Sequence, residues 1–163
     1  MKVERQRIAS VPLIHPSALI LHPYFVMATL QLEVVTPERR VLSEAVEAVT
    51  APGLGGELGI LPGHTSLISQ LQTGVLSYTS SGKTLQLHVS GGFIEVKDDV
   101  VSVLAEVAER PEEIDAARAR LAREHVEKQL TAWSGTEEDF EQARAKLERS
   151  VVRLQLAGSG SKS

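Results

Sequence analysis

Apolar residues recur at every second position between residues 29 and 106, which is the period of β-strands. Near the start of this region, Leu30 and Leu32 alternate with polar residues. The apolar runs are short, turn-forming residues separate them, and no helical pattern interrupts them. This arrangement predicts an antiparallel β-sandwich, which we assign to residues 27–110.

Turn-forming residues mark two β-hairpins in this region. Residues 80–83, Ser-Ser-Gly-Lys, separate two strand-like runs, and Gly82 is able to adopt the left-handed conformation that a tight turn requires. Lys97, Asp98 and Asp99 form the second turn, where the acidic side chains are able to accept hydrogen bonds from the neighbouring backbone. Both signals predict antiparallel neighbours in the sheets.

Residues 55–64 read Gly-Gly-Glu-Leu-Gly-Ile-Leu-Pro-Gly-His, with four glycines and one proline between two strand-like runs. Glycine permits positive φ angles, and proline fixes its own φ and lacks an N–H donor. We therefore predict an exposed loop here and not a segment of the core.

At Pro111 the composition changes to Ala, Arg and Glu, and the apolar period becomes helical. Proline is typical of a first helical turn. Ile114, Ala117 and Leu121 would form one face of this helix. Because these apolar residues are few and small, we expect the helix to pack weakly and to be able to move.

A second helix follows the break at Trp133, Ser134 and Gly135, and Thr136 begins a sequence that resembles a capping box. Its apolar stripe has helical spacing and consists of Phe140, Ala143, Leu147, Val151 and Leu154. The basic residues beside the stripe are Arg144, Lys146, Arg149 and Arg153. We predict a two-helix antiparallel hairpin over residues 111–156.

Composition excludes some classes of function. The 163 residues are 42% hydrophobic, as in globular proteins, but only 4% aromatic, which predicts a mainly aliphatic core. The formal net charge of −4 lacks the basic excess of a nucleic-acid-binding surface, so we expect no nucleic-acid partner. The chain has no cysteine, which excludes disulfides and thiolate metal sites.

The sequence contains no phosphate-binding P-loop, no Gly-x-Ser-x-Gly nucleophile elbow and no His-Glu-x-x-His zinc motif. His64, His88 and His125 fall in a predicted loop, strand and helix, without the spacing of metal ligands. We interpret these histidines as structural or solvated, and we predict no catalytic residue and no metal site.

The two ends of the chain do not continue these patterns. Residues 1–26 include an apolar stretch, but Pro12, Pro16 and Pro23 make it a poor helix that is too short to span a membrane. We interpret this segment as a disordered extension or as residues upstream of the native start, with a tethering role as the alternative. Residues 157–163 have the composition of a flexible tail.

Three features together closely resemble the epsilon subunit of bacterial F-type ATP synthases. They are the glycine-rich residues 55–64, the sequence Ser-Gly-Gly-Phe-Ile-Glu-Val at residues 90–96, and a helical tail rich in Ala, Arg and Glu. The resemblance extends from about Met27 to Leu156 and includes both halves in the same order. It implies a sandwich followed by a hairpin, with no active site and no required cofactor.

In that family the sandwich binds the foot of the rotating gamma subunit and the membrane-embedded c-ring. The resemblance implies a central-stalk subunit that couples proton-driven rotation of the c-ring to ATP synthesis. It implies a peripheral location on the cytoplasmic side of the inner cell membrane, through the complex alone. Residues 56–64 would face the c-ring, with contacts from Glu57, Leu58, Gly59, Ile60 and His64.

The hairpin of that family lies folded on the sandwich, or extends along gamma toward the catalytic alpha/beta hexamer, where it opposes ATP hydrolysis. The resemblance implies the same regulatory role here. The residues that would meet an acidic segment of the beta subunit are Arg144, Lys146, Arg149 and Arg153. A solvated helix face is the alternative interpretation of these four residues.

Residues 114–119, Ile-Asp-Ala-Ala-Arg-Ala, match the Ile/Leu-Asp-x-x-Arg-Ala pattern of bacterial epsilon subunits that bind ATP. The match implies a weak regulatory ATP site, weak because His125 stands where strong binders carry another arginine. Its residues would be Glu109, Asp115, Arg118, Arg149 and Arg153, since guanidinium groups suit phosphate oxygens. Asp115 and Arg118 fit a structural pair at a helix start equally well.

A stand-alone adaptor domain, which senses a nucleotide or binds another protein, is the alternative to a rotor subunit. Co-purification distinguishes the two, because only a rotor subunit should be isolated together with gamma and the catalytic hexamer.

Overall fold

The computed structural model describes residues 28–159, which form two packed β-sheets followed by two helices. The predicted extension 1–26 and residues 160–163 of the predicted tail lie outside the described residues.

Ten strands build the sandwich. In chain order they are β1 (Leu30–Val35), β2 (Arg40–Val46), β3 (Ala48–Gly53), β4 (Gly56–Ile60), β5 (Leu67–Gln70), β6 (Gly74–Ser80), β7 (Lys83–Ser90), β8 (Phe93–Lys97), β9 (Val100–Leu104) and β10 (Val107–Glu109). Sheet one has the spatial order β2-β1-β9-β8-β5, and sheet two has the order β10-β7-β6-β3-β4. The predicted sandwich is therefore confirmed.

One strand pair departs from the predicted antiparallel arrangement. β1 and β9 are parallel, with Leu32 opposite Val101 and Val34 opposite Val103. The other pairs of described strands are antiparallel. Turn signals in a sequence identify only hairpin neighbours, and β1 and β9 are far apart in the chain, so no such signal marks their pairing.

The core lies between the two sheets and consists of the inward-facing residues of the alternating strands. Leu30, Leu32 and Val34 are at most 1% exposed, as the alternation predicts. Tyr78 is the aromatic member of this cluster, and the other members are aliphatic. The low aromatic content therefore does reflect a mainly aliphatic core.

Both predicted hairpin turns are present. Ser81 and Gly82 have φ angles of 52° and 71°, and Asp98 and Asp99 have φ angles of 49° and 60°. Two consecutive positive φ angles are typical of a type I′ turn, whose twist matches that of the strands it connects. The turns place β6 beside β7 and β8 beside β9.

The glycine-rich segment differs from the prediction of a loop. Its first half forms β4, an edge strand paired with β3, and only the residues after Ile60 form a loop. Glycine weakens a strand because it has no side chain to pack, but the pairing itself uses backbone groups, so an edge strand tolerates it.

The first helix begins later than predicted. Pro111–Glu113 form a single 3-10 turn, and Ile114 is extended, with φ −79° and ψ 118°. The first helix, α1, spans Ala116–Thr131. Proline therefore starts a short turn here and not the helix itself.

This interruption changes the phase of the helix, so the predicted apolar face is wrong. Leu121 is 68% exposed, whereas Ala119 and Val126 are buried. The predicted face begins at Ile114, which lies before the helix, and a helical period holds only within one continuous helix.

The second helix, α2, spans Glu137–Ser159 and extends past the predicted end of the hairpin. The hydroxyl oxygen of Thr136 accepts a hydrogen bond from the N–H of Asp139 at 3.2 Å, so the predicted start is correct. The rings of Trp133 and Phe140 meet edge to face, with centroids 5.5 Å apart, and close the turn between the helices.

α2 lies against the outer face of sheet two at β6 and β7, and α1 packs on α2. Over residues 137–158 of α2, the buried residues are Ala143, Ser150 and Leu156. Within the predicted apolar stripe, Ala143 is buried but Val151 is 45% exposed. The predicted two-helix hairpin is thus confirmed, and it is folded onto the sandwich.

Candidate functional site

A cleft of about 560 Å³ lies between α1, α2 and the end of β10. Its volume is within the range of small-molecule sites. The cleft brings together all five residues predicted for ATP binding, two of which are 44 positions apart in the chain. Its charged and polar lining residues are Glu109, Glu113, Asp115, Arg118, His125, Lys146, Arg149, Ser150 and Arg153.

Asp115 is the N-cap of α1. Its Oδ1 accepts a hydrogen bond from the backbone N–H of Arg118 at 2.9 Å, which satisfies a donor that the first helical turn leaves free. The interpretation of Asp115 as a residue of the helix start is therefore correct. The side chain of Arg118 does not pair with it and lies on the cleft.

Glu109, at the end of β10, joins the sandwich to α2 through one carboxylate oxygen. Oε2 is 2.6 Å from Nε of Arg153 and 3.0 Å from Nδ1 of His88. His88 lies opposite Glu109 where β7 pairs with β10, and it is 0% exposed. The two bonds therefore connect a buried position of sheet two with the second half of α2.

These contacts lower the pKa of Glu109 to about 2. The hydrogen bond from His88 is the largest cause, the hydrogen bond and charge of Arg153 add to it, and burial opposes both. Because an ionised carboxylate only accepts hydrogen bonds, Nδ1 of His88 must be the donor. Nε2 of His88 is buried and has no hydrogen-bond partner among the described residues.

Glu113 is held by a second set of contacts at the edge of the cleft. Its carboxylate accepts a hydrogen bond from the N–H of Arg110 at 2.9 Å and lies 2.6 Å from the guanidinium of Arg39. The bond from Arg110 and then the bond from Arg39 lower the pKa of Glu113. Both interactions fix the 3-10 turn that leads into α1.

Three cationic side chains on the cleft, those of Arg118, Lys146 and Arg149, have no ion-pair partner in the part of the chain that the structure describes. These three cations stand beside carboxylates that already have partners, since Glu109 bonds His88 and Arg153, Glu113 bonds Arg39 and Arg110, and Asp115 caps α1. Unpaired cations at a cleft favour an anionic ligand, and guanidinium groups match the geometry of phosphate oxygens.

His125 lines the same cleft, two turns after Arg118 on α1. An imidazole offers at most two donors, whereas a guanidinium offers five. The chain therefore has fewer hydrogen bonds available for phosphate at this position than a chain with arginine would have.

Arg144 does not share a face with the other three residues predicted for inhibition. It is exposed and pairs within α2 with Glu141 at 3.5 Å and with Glu148 at 3.6 Å. Lys146, Arg149 and Arg153 instead line the cleft. Two residues along a helix correspond to a rotation of about 200°, which separates Arg144 from Lys146.

The residues predicted to contact the c-ring differ in exposure, because most of them lie in strand β4. Glu57 and Gly59 are exposed, and Leu58 packs partly against the core. Ile60 is 1% exposed and belongs to the core, which corrects its assignment to an exposed contact loop. His64 is half-buried in the loop after β4.

That loop exposes an apolar residue which the prediction does not include. Leu61 is 61% exposed, as is Leu54 between β3 and β4. The carboxylate of Asp99 accepts a hydrogen bond from the N–H of Gly63 at 2.6 Å and so fixes the loop against the β8–β9 turn. Strand parity distinguishes Ile60 from Leu61, because consecutive residues of a strand face opposite sides.

Within residues 28–159, no group of three or more His, Asp or Glu residues has the arrangement of a metal site. Over the same residues, no helix has the length and apolarity needed to cross a membrane.

Comparison with known proteins places both domains in one family. Residues 29–111 match the family described as the β-sandwich domain of the ATP synthase delta/epsilon chain, and residues 112–158 match its long α-helix domain. The ATP synthase epsilon chain of Nitratidesulfovibrio vulgaris (strain DP4) is 47% identical over 131 residues, which are 80% of this chain and 97% of the relative. The epsilon chain of Geobacter sulfurreducens is 41% identical over 133 residues, which are 82% and 96%.

Solved structures give the same result. A chain in the Euglena gracilis mitochondrial ATP synthase, determined as OSCP, F1 and c-ring in rotational state 1, has a TM-score of 0.69 at 32% identity, over 80% of this chain and 81% of that chain. A chain in the central stalk and c-ring of the Tetrahymena thermophila enzyme has a TM-score of 0.57 over 77% and 94%, and at 15% identity it supports the fold alone. The chain therefore belongs to the ATP synthase delta/epsilon chain family, which confirms the resemblance to epsilon subunits.

Proposed function

We propose that this chain is a central-stalk subunit of an F-type ATP synthase, which couples proton-driven rotation of the c-ring to ATP synthesis. The observation that carries this proposal is the family match through both domains in order. The subunit contributes no catalytic residue and is held at the cytoplasmic face of the inner cell membrane by the complex. Its partners are the gamma subunit, the c-ring and the catalytic alpha/beta hexamer.

The surface that we assign to the c-ring follows β4 and the loop after it. Its exposed residues include Glu57 near the start of β4 and Leu61 just after its end, and Asp99 holds the loop in place through Gly63. Two exposed leucines, Leu54 and Leu61, flank β4 and would give this surface apolar contacts beside the polar side chain of Glu57.

The hairpin regulates the enzyme by leaving the sandwich and entering the catalytic hexamer, where it opposes ATP hydrolysis. The helices have 16 and 23 residues, and they span about 24 and 35 Å at a rise of about 1.5 Å per residue. In the folded hairpin, Lys146, Arg149 and Arg153 face the cleft. Arg149 and Arg153 are half-buried there and become fully available to an acidic segment of the beta subunit when the hairpin opens, whereas Lys146 is already exposed.

ATP is the ligand that we assign to the cleft, where it stabilises the folded hairpin. Arg118, Lys146 and Arg149 are the unpaired cations that would receive the phosphates. Glu109 bonds His88 and Arg153 through Oε2 only, so Oε1 is free to accept from an amine or a ribose hydroxyl. Because His125 replaces an arginine, we expect affinity in the high micromolar to millimolar range.

Reconstitution tests the stalk role. Enzyme assembled with the full chain should synthesise ATP from a proton gradient and should retain the chain together with gamma on purification. A chain that lacks residues 111–163 should still assemble and should raise the rate of ATP hydrolysis. Failure of the full chain to co-purify with gamma would favour the adaptor interpretation, and unchanged hydrolysis would refute the regulatory role.

Titration with ATP, followed by NMR of the isolated chain, tests the cleft. Signals from α1 and α2 should shift with ATP in the wild type and should not shift in Arg118→Ala. Arg144→Ala is the matched control, because Arg144 is an exposed arginine outside the cleft. An absence of ATP-dependent shifts in the wild type at several millimolar would reduce Asp115 and Arg118 to a structural role.

A further inference from the structure

The helical hairpin is attached to the sandwich through α2. α2 lies on β6 and β7, whereas α1 packs on α2. Leu156 is the large apolar residue of α2 that is fully buried, whereas Leu147, Val152 and Leu154 are only half-buried. Because part of this apolar surface stays exposed to water, polar contacts add to the attachment.

One ion pair joins a hairpin helix to a strand of the sandwich in residues 28–159, namely Arg153 of α2 with Glu109 of β10. Both groups are only 28% exposed, so water screens this pair less than it screens the more exposed pairs within the helices. A charge-assisted bond of 2.6 Å is among the stronger polar contacts of a protein.

His88 fixes the other side of Glu109. It is completely buried in β7, and its Nδ1 donates to the same oxygen that Arg153 contacts. A buried side chain at this position has little freedom to move, so it holds the carboxylate in one orientation. If α2 leaves, Glu109 keeps its bond to His88 and its exposed part is hydrated, so release leaves the Nδ1 donor of His88 satisfied.

We propose that His88, Glu109 and Arg153 form a latch that holds the hairpin on the sandwich, with His88 as the fixed end and Arg153 as the end that releases. His88 is a positioning residue in this latch, because it acts on the hairpin only through Glu109. The latch depends on one part of the proposed function, namely that the hairpin is able to leave the sandwich. It needs no nucleotide.

Hydrogen–deuterium exchange of the full chain, without nucleotide and without partner subunits, tests the latch. Arg153→Ala should raise amide exchange in α1 and α2 by about tenfold, equivalent to about 1.4 kcal/mol, while exchange in β1 and β9 stays unchanged. Arg144→Ala should leave all regions unchanged. Glu109→Gln, which keeps the shape of the side chain and removes its charge, should reproduce the effect of Arg153→Ala.

The role of His88 is tested by a double-mutant cycle with Arg153, because replacing a buried residue alone can also weaken the sandwich. His88→Leu should accelerate hairpin exchange when Arg153 is present and should add little in the Arg153→Ala background. His88→Asn, whose amide can replace the Nδ1 donor, should restore part of the protection.

Two results would overturn the latch. The first is that exchange in α2 is no faster in Arg153→Ala than in Arg144→Ala, and the second is that His88→Leu accelerates exchange in the hairpin equally with and without Arg153. The second result would limit His88 to supporting the sheet. Because no nucleotide is present, neither result depends on whether ATP binds the cleft, and a failure of ATP binding would leave the latch intact.

Discussion

Acidification should destabilise the protein through Glu109. Its pKa is about 2 in the folded protein, compared with an ordinary value of 4.5. A carboxyl group whose folded pKa is lowered contributes stability above its unfolded pKa, and this contribution is lost as the pH falls from about 4.5 through about 2. The free energy of unfolding should therefore decrease in this window.

The size of the effect follows from the shift. Each pKa unit corresponds to about 1.36 kcal/mol, which sets an upper limit of about 3 kcal/mol for the whole window. The carboxylate is 28% exposed, and water reduces the value, so we expect about 1 kcal/mol between pH 6 and pH 3. His88 and Arg153 supply this stabilisation through the single oxygen Oε2 of Glu109.

Urea denaturation of the wild type and of Glu109→Gln at pH 6, 4.5 and 3 measures the effect. The difference in unfolding free energy between the two proteins should be largest at pH 6 and should shrink by about 1 kcal/mol at pH 3. Glu113→Gln is the control for a second carboxyl group with a lowered pKa, which is held by Arg110 and Arg39. Parallel profiles of the wild type and Glu109→Gln would refute the assignment of the pKa shift to Glu109.

Two further substitutions test the fold, each with a matched control. Gly92→Ala should lower the free energy of unfolding by at least about 3 kcal/mol, because φ is 97° and the new Cβ would overlap the carbonyl oxygen of Leu104. The control Gly82→Ala, where φ is 71° and the space around the new Cβ is open, should lower it by about 1 kcal/mol. Leu156→Ala should weaken the attachment of the hairpin by about 2 to 3 kcal/mol, measured by amide exchange in α2, whereas Leu121→Ala, at an exposed position, should change it by less than about 0.5 kcal/mol.

The parts of the fold that follow from local patterns could be predicted from the sequence. Alternation in β1 identifies its buried residues, and the two type I′ turns follow from Gly82 and the pair Asp98 and Asp99. The start of α2 follows from Thr136, whose hydroxyl caps the helix. Each of these features depends on contacts between residues close in the chain.

The parts that depend on pairing between distant strands could not be predicted. The parallel pair β1–β9 and the pair β7–β10 have no turn between their strands, so no local signal marks them. The second pair places Glu109 beside His88. The sequence around His88 therefore does not indicate that its side chain bonds the carboxylate of Glu109 at the edge of the cleft.

Some of the site residues were predictable from the sequence, and others were not. The resemblance to ATP-binding epsilon subunits selects five residues that the hairpin does bring to one cleft, since helical spacing places Arg149 and Arg153 on one face of α2. The assignment of Ile60 to an exposed loop is wrong because the residue lies in an edge strand with its side chain in the core. Arg144 does not line the cleft as Lys146 and Arg149 do, because its position in the helical period places it on another face of α2.

The folded hairpin and the proposed inhibitory hairpin require the same arginines. Arg149 and Arg153 cannot line the cleft and contact the beta subunit at once, because the cleft exists only while α1 and α2 lie together at the end of β10. A ligand that binds only the folded hairpin stabilises it by RT ln(1 + [L]/Kd), which is about 1.4 kcal/mol at tenfold saturation. That amount changes the ratio of folded to extended hairpin about tenfold, so in the proposed regulation ATP would release inhibition when the two states differ in population by about this factor or less.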